Sequence, residues 1–259
     1  MTEQNKEHKM VEKIKHTGAI TAPSLFTLGN LACGFFSIKA AAEGRFAEAG
    51  WMILFAAVFD MFDGRIARML GTESNFGVEM DSLADTVSFC AAPAFLMYFS
   101  VLNSRPVLGG AIACFYTCLG VLRLAKFNTM ALAGETSKKY FSGLPVPTPA
   151  MIFASLAICC KMSEMPFLSD WFPRLCNFNF VGFAMLAMGL LMVSKVPYAA
   201  FKGKRDKKMS VWTLLFLIFL VVMLTKFPED VVFIVFSLYV LFGLLAVLYR
   251  AFRGIKVEK

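Results

Sequence analysis

The apolar stretch Trp51-Met-Ile-Leu-Phe-Ala-Ala-Val-Phe59 runs directly into Asp60-Met-Phe-Asp63-Gly64-Arg-Ile-Ala67-Arg68. After eight further residues comes Gly77, followed at intervals of four by Asp81 and Asp85, where another long apolar run begins. On insertion scales, a carboxylate in the hydrocarbon of a membrane costs roughly 2.5–3.5 kcal/mol. Four aspartates at the edges of two neighbouring apolar runs therefore predict a membrane protein in which a ligand compensates the acidic groups.

The whole chain has the composition of a membrane protein. Of its 259 residues 58% are hydrophobic, and the mean hydropathy is +0.65. Apolar runs of about the length that crosses a hydrocarbon core recur along it. We predict an all-α polytopic membrane protein with eight spans, at residues 23–43, 48–70, 82–103, 107–128, 145–162, 178–200, 211–226 and 231–250.

Polar segments divide the chain into five parts. Residues 1–22 are basic, either an amphipathic segment on the membrane surface or a disordered tail; they lack the apolar core of a secretory signal, so we expect no cleavage. Residues 23–200 form the predicted six-helix domain, 201–210 a basic loop, 211–250 two additional spans and 251–259 a tail. The last two spans carry no acidic cluster and are predicted to serve packing or oligomerisation.

The basic residues are distributed unevenly between the two sides of the membrane. With the N-terminus in the cytoplasm and eight crossings, 20 of the 26 Lys and Arg residues fall on the cytoplasmic side or at the helix ends there. The other six are Lys39, Arg45, Arg105, Lys161, Arg174 and Lys226. Positive charge favours the cytoplasmic side. We therefore predict a multi-pass protein of the inner (cytoplasmic) membrane with cytoplasmic termini and aspartates, whose net charge of +8 reflects topology and anionic lipid, not nucleic acid.

Two residue types narrow the possible chemistry. The only histidines, His8 and His16, lie in the N-terminal segment, which argues against a Ser-His-Asp triad or a histidine-ligated metal in the membrane domain. The seven cysteines are scattered and lack the paired spacing of a zinc site, so they are interpreted as small apolar residues in helix packing.

Helical geometry brings the aspartates together. At about 100° per residue, Asp60 and Asp63 share a stripe with the small residues Gly64 and Ala67. Asp81 and Asp85 lie one turn apart on the next helix, which a short connection makes an antiparallel neighbour. Carboxylates without histidine or thiolate favour Mg²⁺ or Mn²⁺. Two such ions could bind a diphosphate, and one carboxylate could accept a proton from an attacking hydroxyl.

Two other interpretations of the aspartates are possible. Acidic clusters also occur in cation transporters, but those sites lie nearer the bilayer midplane, and Arg68 has little place in a cation pathway. A non-catalytic scaffold would leave the cluster without a cause. Phosphoryl transfer, with Arg68 as a fixed positive charge for a phosphate oxygen, is the favoured prediction.

The eight positions Asp60, Asp63, Gly64, Ala67, Arg68, Gly77, Asp81 and Asp85 resemble the signature of the CDP-alcohol phosphotransferases in identity and spacing. The resemblance implies a six-helix core, a homodimer and a site for two divalent ions that opens to the cytoplasm. Asp60, Asp63, Asp81 and Asp85 would ligate metal, and Asp85 would also act as the base. Gly64, Ala67 and Arg68, with Asp60 and Gly77, would hold the nucleotide. Thr27 resembles a residue that lines the nucleotide site, although Ser24 replaces the usual asparagine nearby.

Three further stretches resemble the branch of this family that uses serine as the acceptor alcohol. They are Gly29-Asn30-Leu-Ala-Cys-Gly34, Arg123-Leu-Ala-Lys126-Phe-Asn128 and Phe141-Ser-Gly143-Leu-Pro145-Val-Pro147-Thr-Pro149. The implied substrates are CDP-diacylglycerol and L-serine. Arg123 and Lys126 could bind a carboxylate or phosphate with Asn128 beside them, or could be positive-inside anchors. On chemistry alone glycerol 3-phosphate remains an alternative acceptor, whereas inositol, a neutral polyol, has less need of this cationic pair.

Overall fold

A computed structural model describes residues 25–70, 75–132, 140–162, 172–194, 197–199, 226 and 228–252. Within these ranges the chain is predominantly helical. Three helical segments are long and apolar enough to cross a membrane, namely Leu25–Ala42, Phe76–Ser100 and Pro106–Met130. Shorter apolar segments occupy Pro147–Cys160, Phe178–Val193 and Asp230–Leu245.

The helices follow one another with short connections. Helix α1 is described over residues 25–42, and the others are α2 (Phe46–Leu70), α3 (Asn75–Asp85), α4 (Ala92–Ser100), α5 (Pro106–Leu132), α6 (Pro147–Met162), α7 (Phe172–Leu175), α8 (Phe178–Val193) and α9 (Pro228–Phe252). A π-helical segment, Thr86–Ala91, joins α3 to α4 without a break. A short 3₁₀ turn, Leu102–Ser104, precedes α5.

Two predicted boundaries are wrong. The third span was predicted to begin at residue 82, but its helix begins at Asn75, because helical hydrogen bonds continue through a polar turn that hydropathy alone does not mark. The sixth span was predicted to reach residue 200, but α8 ends at Val193. Proline has no N–H to continue a helix, and Pro197–Ala199 instead form a strand, β2. The predicted span 211–226 lies outside the described residues, apart from Lys226.

Strand β2 pairs antiparallel with β1, Tyr140–Ser142, with Phe141 opposite Tyr198. The all-α class is confirmed, and this pair of three-residue strands is a small addition to it. The pairing joins the segment before α6 to the segment after α8. Gly143, with φ of +87°, completes the turn, and a Cβ on it would lie 2.8 Å from the carbonyl oxygen of Ser194. Only glycine fits this backbone at that distance.

Small residues allow the helices to approach closely. A Cβ on Gly50 of α2 would lie 2.7 Å from the carbonyl oxygen of Ala154 in α6. A Cβ on Gly189 of α8 would lie 2.9 Å from the Leu119 side chain of α5. Such contacts are typical of membrane helices, where packing replaces the hydrophobic driving force. Large apolar side chains on the outside of the bundle, including Phe35, Leu108 and Phe183, are exposed, as lipid-facing residues are.

One end of the bundle, here named the acid end, contains the aspartates. The Asn128 amide of α5 donates a hydrogen bond to Ser82 Oγ at 2.8 Å, so the C-terminal part of α5 lies beside the C-terminal half of α3. Because α5 ends there, β1 and the start of α6 follow at the same end. The β1–β2 pair places the end of α8 there too.

The other end, here named the opposite end, is fixed by contacts between later helices. The Arg105 guanidinium, just before α5, lies 4.9 Å from the ring centre of Phe178 at the start of α8. The ring of Phe172 in α7 meets that of Phe233 near the start of α9, with centres 5.2 Å apart. Helix α9 therefore begins at the opposite end and runs towards the acid end.

The opposite end also contains a disulfide between Cys160, in the last turn of α6, and Cys176, just after α7. The interpretation of every cysteine as an apolar packing residue is wrong for this pair. The two cysteines are 16 positions apart in the sequence, and their proximity depends on α7 packing against α6, which residue spacing alone does not reveal.

Candidate active site

Three of the four predicted acidic residues converge. One carboxylate oxygen from each of Asp60, Asp63 and Asp81 lies within 4.8 Å of the other two. Asp60 and Asp63 belong to the C-terminal half of α2, and Asp81 belongs to α3, which follows after a short connection. Asp63 is buried, and Asp60 and Asp81 are half-buried. Two helices meeting at one end of the bundle thus bring three carboxylates to one point, as the spacing predicts.

Asp85 is at the C-terminal end of α3 and is not one of the three converging acids. It is buried and lies within electrostatic reach of Asp60 and Asp81. The amide Nδ2 of Asn30, in α1, donates a hydrogen bond to Asp85 Oδ1 at 3.1 Å. Among the described residues no donor contacts the second oxygen, Oδ2. The hydrogen bond from Asn30 therefore orients the carboxylate through Oδ1 and leaves Oδ2 available to accept a proton.

Helix α1 holds a second acid in the same way. Thr27 Oγ1 donates a hydrogen bond to Asp63 Oδ2 at 3.0 Å. Thr27 and Asn30 are three residues apart and both are buried, so they lie on one face of α1 against the acid end. The sequence predicts that Thr27 contacts the nucleotide, and that role stays a prediction. In the structure its hydroxyl donates to one of the acids.

Asn30 is absent from the predicted site residues, although a signal existed. A buried amide in an apolar membrane helix needs a polar partner, and its spacing from Thr27 placed both on one face. Ser88, in the π-helical segment, donates a hydrogen bond to the carbonyl oxygen of Asn30 at 2.9 Å. Since π-helical turns frequently occur at functional sites, the segment behind Asp85 is a further indication of the site.

Gly34 allows α1 to approach this segment. A Cβ at that position would lie 2.8 Å from Ser88 Cα, closer than side chains approach backbone. The glycine therefore makes room for the hydrogen bond between Ser88 and Asn30. The hydrogen bond from Ser88 positions Asn30, and Asn30 in turn orients Asp85.

The three predicted acceptor-site residues differ in their surroundings. Arg123 is buried, with its guanidinium 5.1 Å from the Phe127 ring centre. Its Nε has no hydrogen-bond partner among the described residues. Asn128 binds Ser82, adjacent to Asp81, and Lys126 is half-buried. Cation–π contact and burial distinguish Arg123 from an anchor that extends into water.

The predicted nucleotide-site residues are partly described. Gly64 of α2 is exposed and Gly77 of α3 is half-buried. Both belong to the helices that provide the acids. The side chains of Ala67 and Arg68 lie outside what the structure describes, so their predicted roles stay predictions.

The residues of the cluster suit a divalent cation. Its ligand atoms are all carboxylate oxygens, the set that Mg²⁺ and Mn²⁺ prefer. Asp81 Oδ1 is buried and has no hydrogen-bond partner among the described residues. No described Lys or Arg pairs with these acids. By contrast, hydrogen bonds from Lys39 and Arg45 hold the pKa of Glu43, at the opposite end, below its ordinary value. Glu43 is neutralised by these two cationic side chains. The three converging acids have no such partner among the described residues, so a bound metal ion could neutralise them instead.

The three converging carboxylates could hold a metal ion, and three helical segments of the described structure are long and apolar enough to cross a membrane. Together these features indicate an integral membrane protein with a polar site. A model of the CDP-alcohol phosphatidyltransferase family matches residues 20–193. The chain therefore belongs to the CDP-alcohol phosphatidyltransferase family, as its signature predicts. Residues 20–193 include the four aspartates and the α1 residues that contact them.

Several curated relatives are similar over most of their length. A CDP-diacylglycerol–serine O-phosphatidyltransferase of Helicobacter pylori is 36% identical over 197 residues, covering 75% of this chain and 78% of the relative. The Bacillus subtilis protein of the same name is 33% identical, covering 70% and 90%. An archaetidylserine synthase of Methanothermobacter thermautotrophicus is 31% identical, covering 75% and 76%.

Proposed function

We propose that this protein is an enzyme that transfers the phosphatidyl group from CDP-diacylglycerol to the hydroxyl of L-serine, giving phosphatidylserine and CMP. The observation that carries the chemistry is the convergence of Asp60, Asp63 and Asp81 next to an Asp85 that Asn30 orients. The relatives support the acceptor. Their names differ in the lipid, diacylglycerol or archaetidyl, and agree in serine.

In the proposed reaction Asp85 is the base. Its Oδ2 accepts the proton of the serine hydroxyl while Asn30 holds Oδ1. The serine oxygen forms a bond to the phosphorus that carries diacylglycerol. The bond from that phosphorus to the bridging oxygen breaks, and CMP leaves with the electron pair. Burial of Asp85 excludes water that would otherwise compete as the acceptor.

Asp60, Asp63, Asp81 and Asp85 are the proposed ligands of two divalent ions, Mg²⁺ or Mn²⁺. When bound, such ions would neutralise the diphosphate and offset the charge that develops on the departing oxygen. Thr27 keeps Asp63 in place through its hydrogen bond. Gly64, Ala67, Arg68 and Gly77 are proposed to hold the cytidine diphosphate, with the small residues leaving space for it.

Arg123 is the proposed partner of the serine carboxylate, with Lys126 as a second positive charge. The unpartnered, buried Nε supports this, because a buried guanidinium gains most from a charged hydrogen-bond partner. Asn128 is proposed to position Ser82 and α3 through its hydrogen bond. An acceptor with a carboxylate or a phosphate would benefit from Arg123, whereas a neutral polyol would not.

The proposed topology has a six-helix catalytic domain over 23–200 and two further spans over 211–250, with the acid end and both termini in the cytoplasm. The positions of the end of α8 and the start of α9 support a crossing between them, which with α9 makes two added spans. Helix α8 leads to β2 at the acid end, and α9 begins at the opposite end, where Phe233 meets Phe172. The proposed homodimer is testable by light scattering of the detergent-solubilised protein.

The decisive experiment is CMP release by purified protein with CDP-diacylglycerol and one candidate acceptor at a time. We expect release with L-serine and Mn²⁺ or Mg²⁺, loss with EDTA and recovery when the ion is restored. Release only with glycerol 3-phosphate or inositol would contradict the acceptor while leaving the mechanism intact. An Arg123→Lys variant should raise KM for serine more than KM for CDP-diacylglycerol, because the planar guanidinium binds a carboxylate through two donors.

A further inference from the structure

Only one pair of the cysteines is bridged in the described structure. Cys33, Cys90, Cys114, Cys118 and Cys159 are not part of a disulfide, whereas Cys160 and Cys176 form one. The free cysteines all lie in helical segments of the bundle. The bridged pair instead links the last turn of α6 to the residue that follows α7. The bridge therefore lies at the ends of helices, where it can face one of the two compartments that the membrane separates.

The bridge lies at the end of the bundle opposite the aspartates. Helix α6 begins at the acid end, and Cys160 is thirteen positions after its first residue, Pro147. At 1.5 Å per residue this places Cys160 about 20 Å along the helix. Cys176 precedes Phe178, whose ring contacts Arg105 before α5, so an independent contact assigns this cysteine to the same end.

We infer that Cys160 and Cys176 are a site of oxidative modification on the extracytoplasmic face, bridged by a thiol oxidase of that compartment. The inference uses the orientation proposed above, in which the excess of Lys and Arg keeps the acid end in the cytoplasm. Cytoplasmic thiols are kept reduced, whereas disulfides persist outside the cytoplasm. The bridged pair is thus at the end where it can form.

The oxidation proceeds by thiol–disulfide exchange. The thiolate of one cysteine attacks a disulfide of the oxidase and forms a mixed disulfide. The thiolate of the other cysteine then attacks the sulfur of the first, and the Cys160–Cys176 bond forms as the oxidase thiolate leaves. Two electrons pass to the oxidase, which becomes a dithiol, and the two cysteines lose their protons.

The bridge has a structural role at this end. It closes the segment that contains α7, whose Phe172 is buried and contacts Phe233 of α9. Linking Cys160 to Cys176 therefore restrains α6, α7 and the start of α8 together, and through Phe172 it supports α9. The aspartates lie at the other end, so the bridge is expected to affect stability and not the chemical step.

Counting thiols tests the bridge directly. Cells are quenched in acid to prevent later oxidation, and the denatured protein is labelled with a mass-tagged maleimide. We expect five labels without reductant and seven after reduction. Cys160→Ser should give equal counts under both conditions, whereas the matched control Cys118→Ser should lower both counts by one. Seven labels on the wild-type protein without reductant would overturn the inference.

Two further measurements test compartment and role. In a strain lacking its extracytoplasmic thiol oxidase, the wild-type protein should show seven labels without reductant. A bridge that persists there would contradict formation in that compartment. Cys160→Ser and Cys176→Ser should lower the melting temperature equally, and the double variant should lower it no further. Fully additive shifts would show that the two residues act separately. CMP release below the melting temperature should be unchanged in all three.

Discussion

At the scale of single residues, the site depends on how two buried acids are held. Thr27 and Asn30, one turn apart on α1, each donate a hydrogen bond to an acid of another helix, Asp63 and Asp85. Hydrogen bonds to charged groups contribute more than neutral ones. The first helix, which carries no acid in its described residues, therefore orients the acids that α2 and α3 provide.

The first prediction concerns Asp85→Asn. Asparagine keeps an oxygen that can accept the hydrogen bond from Asn30, but it cannot take the proton of serine. We expect CMP release to fall by about 10²–10⁴-fold, the usual contribution of a general base. Calorimetry should show that Mn²⁺ binding is largely kept, because Asp60, Asp63 and Asp81 remain. A near-normal rate would eliminate Asp85 as the base. Glu43→Gln, an acid-to-amide change at the opposite end, is the control.

The second prediction concerns Asn30→Ala, which removes the donor to Asp85. A hydrogen bond to a charged group contributes about 1.5–3 kcal/mol, so kcat should fall about 10- to 100-fold while KM for CDP-diacylglycerol changes little. Ser37→Ala is a matched control on the same helix, because it removes one buried hydrogen bond, to the carbonyl oxygen of Ala49, away from the acids. Equal losses of activity in both variants would show that Asn30 acts only through general stability.

The aspartates were predictable from the sequence, and their partners were not. Spacing within one helix fixes which side chains share a face, so the approach of Asp60, Asp63 and Asp81 followed from the pattern. The contacts Asn30–Asp85 and Asn128–Ser82 join residues that are 55 and 46 positions apart in the sequence. They depend on helix rotation and axial position, which spacing along one chain does not determine.

At the scale of elements, α1 and the π-helical segment form a unit that holds Asp85, the proposed base. The third prediction is that Gly34→Ala disrupts it, because the added Cβ would lie 2.8 Å from Ser88 Cα. We expect loss of about 1–3 kcal/mol in stability and a fall in kcat as the bond from Ser88 to Asn30 breaks. Gly110→Ala in α5 is the control, since its Cβ would meet only Tyr98, at 3.8 Å. The rate of CMP release should be measured for both variants. A wild-type rate for Gly34→Ala would contradict the prediction.

Elements were predicted well where apolar length marks them. Helices α1, α2, α5 and α6 begin and end within a few residues of the predicted spans. The start of α3 was missed because Glu79 and Asp81 make its first turns polar. The β1–β2 pair was missed because three-residue strands joining distant segments have no periodic pattern of their own.

At the scale of the whole molecule, α9 lies beyond the residues that the family model matches and yet packs against helices within the matched region. Val231 and Val240 are buried, and Phe233 contacts Phe172. The expectation of a packing role for this span is thus consistent with its contacts. Other α9 side chains, including Leu241 and Phe242, are exposed and available to lipid or to a second protomer.

The fourth prediction follows from the two faces of α9. Phe233→Ala removes a ring that meets the buried Phe172 edge to face, so we expect a loss of about 1–3 kcal/mol in stability. Because Phe233 lies at the opposite end, kcat and KM of the folded enzyme should not change. Phe242→Ala deletes the same ring from the exposed face, 66% accessible, and should leave stability nearly unaltered. Thermal unfolding in detergent, followed beside CMP release, separates the two. If Phe233→Ala instead lowered kcat at full stability, α9 would have to act on the chemistry, and the division between a catalytic domain and a supporting helix would be wrong.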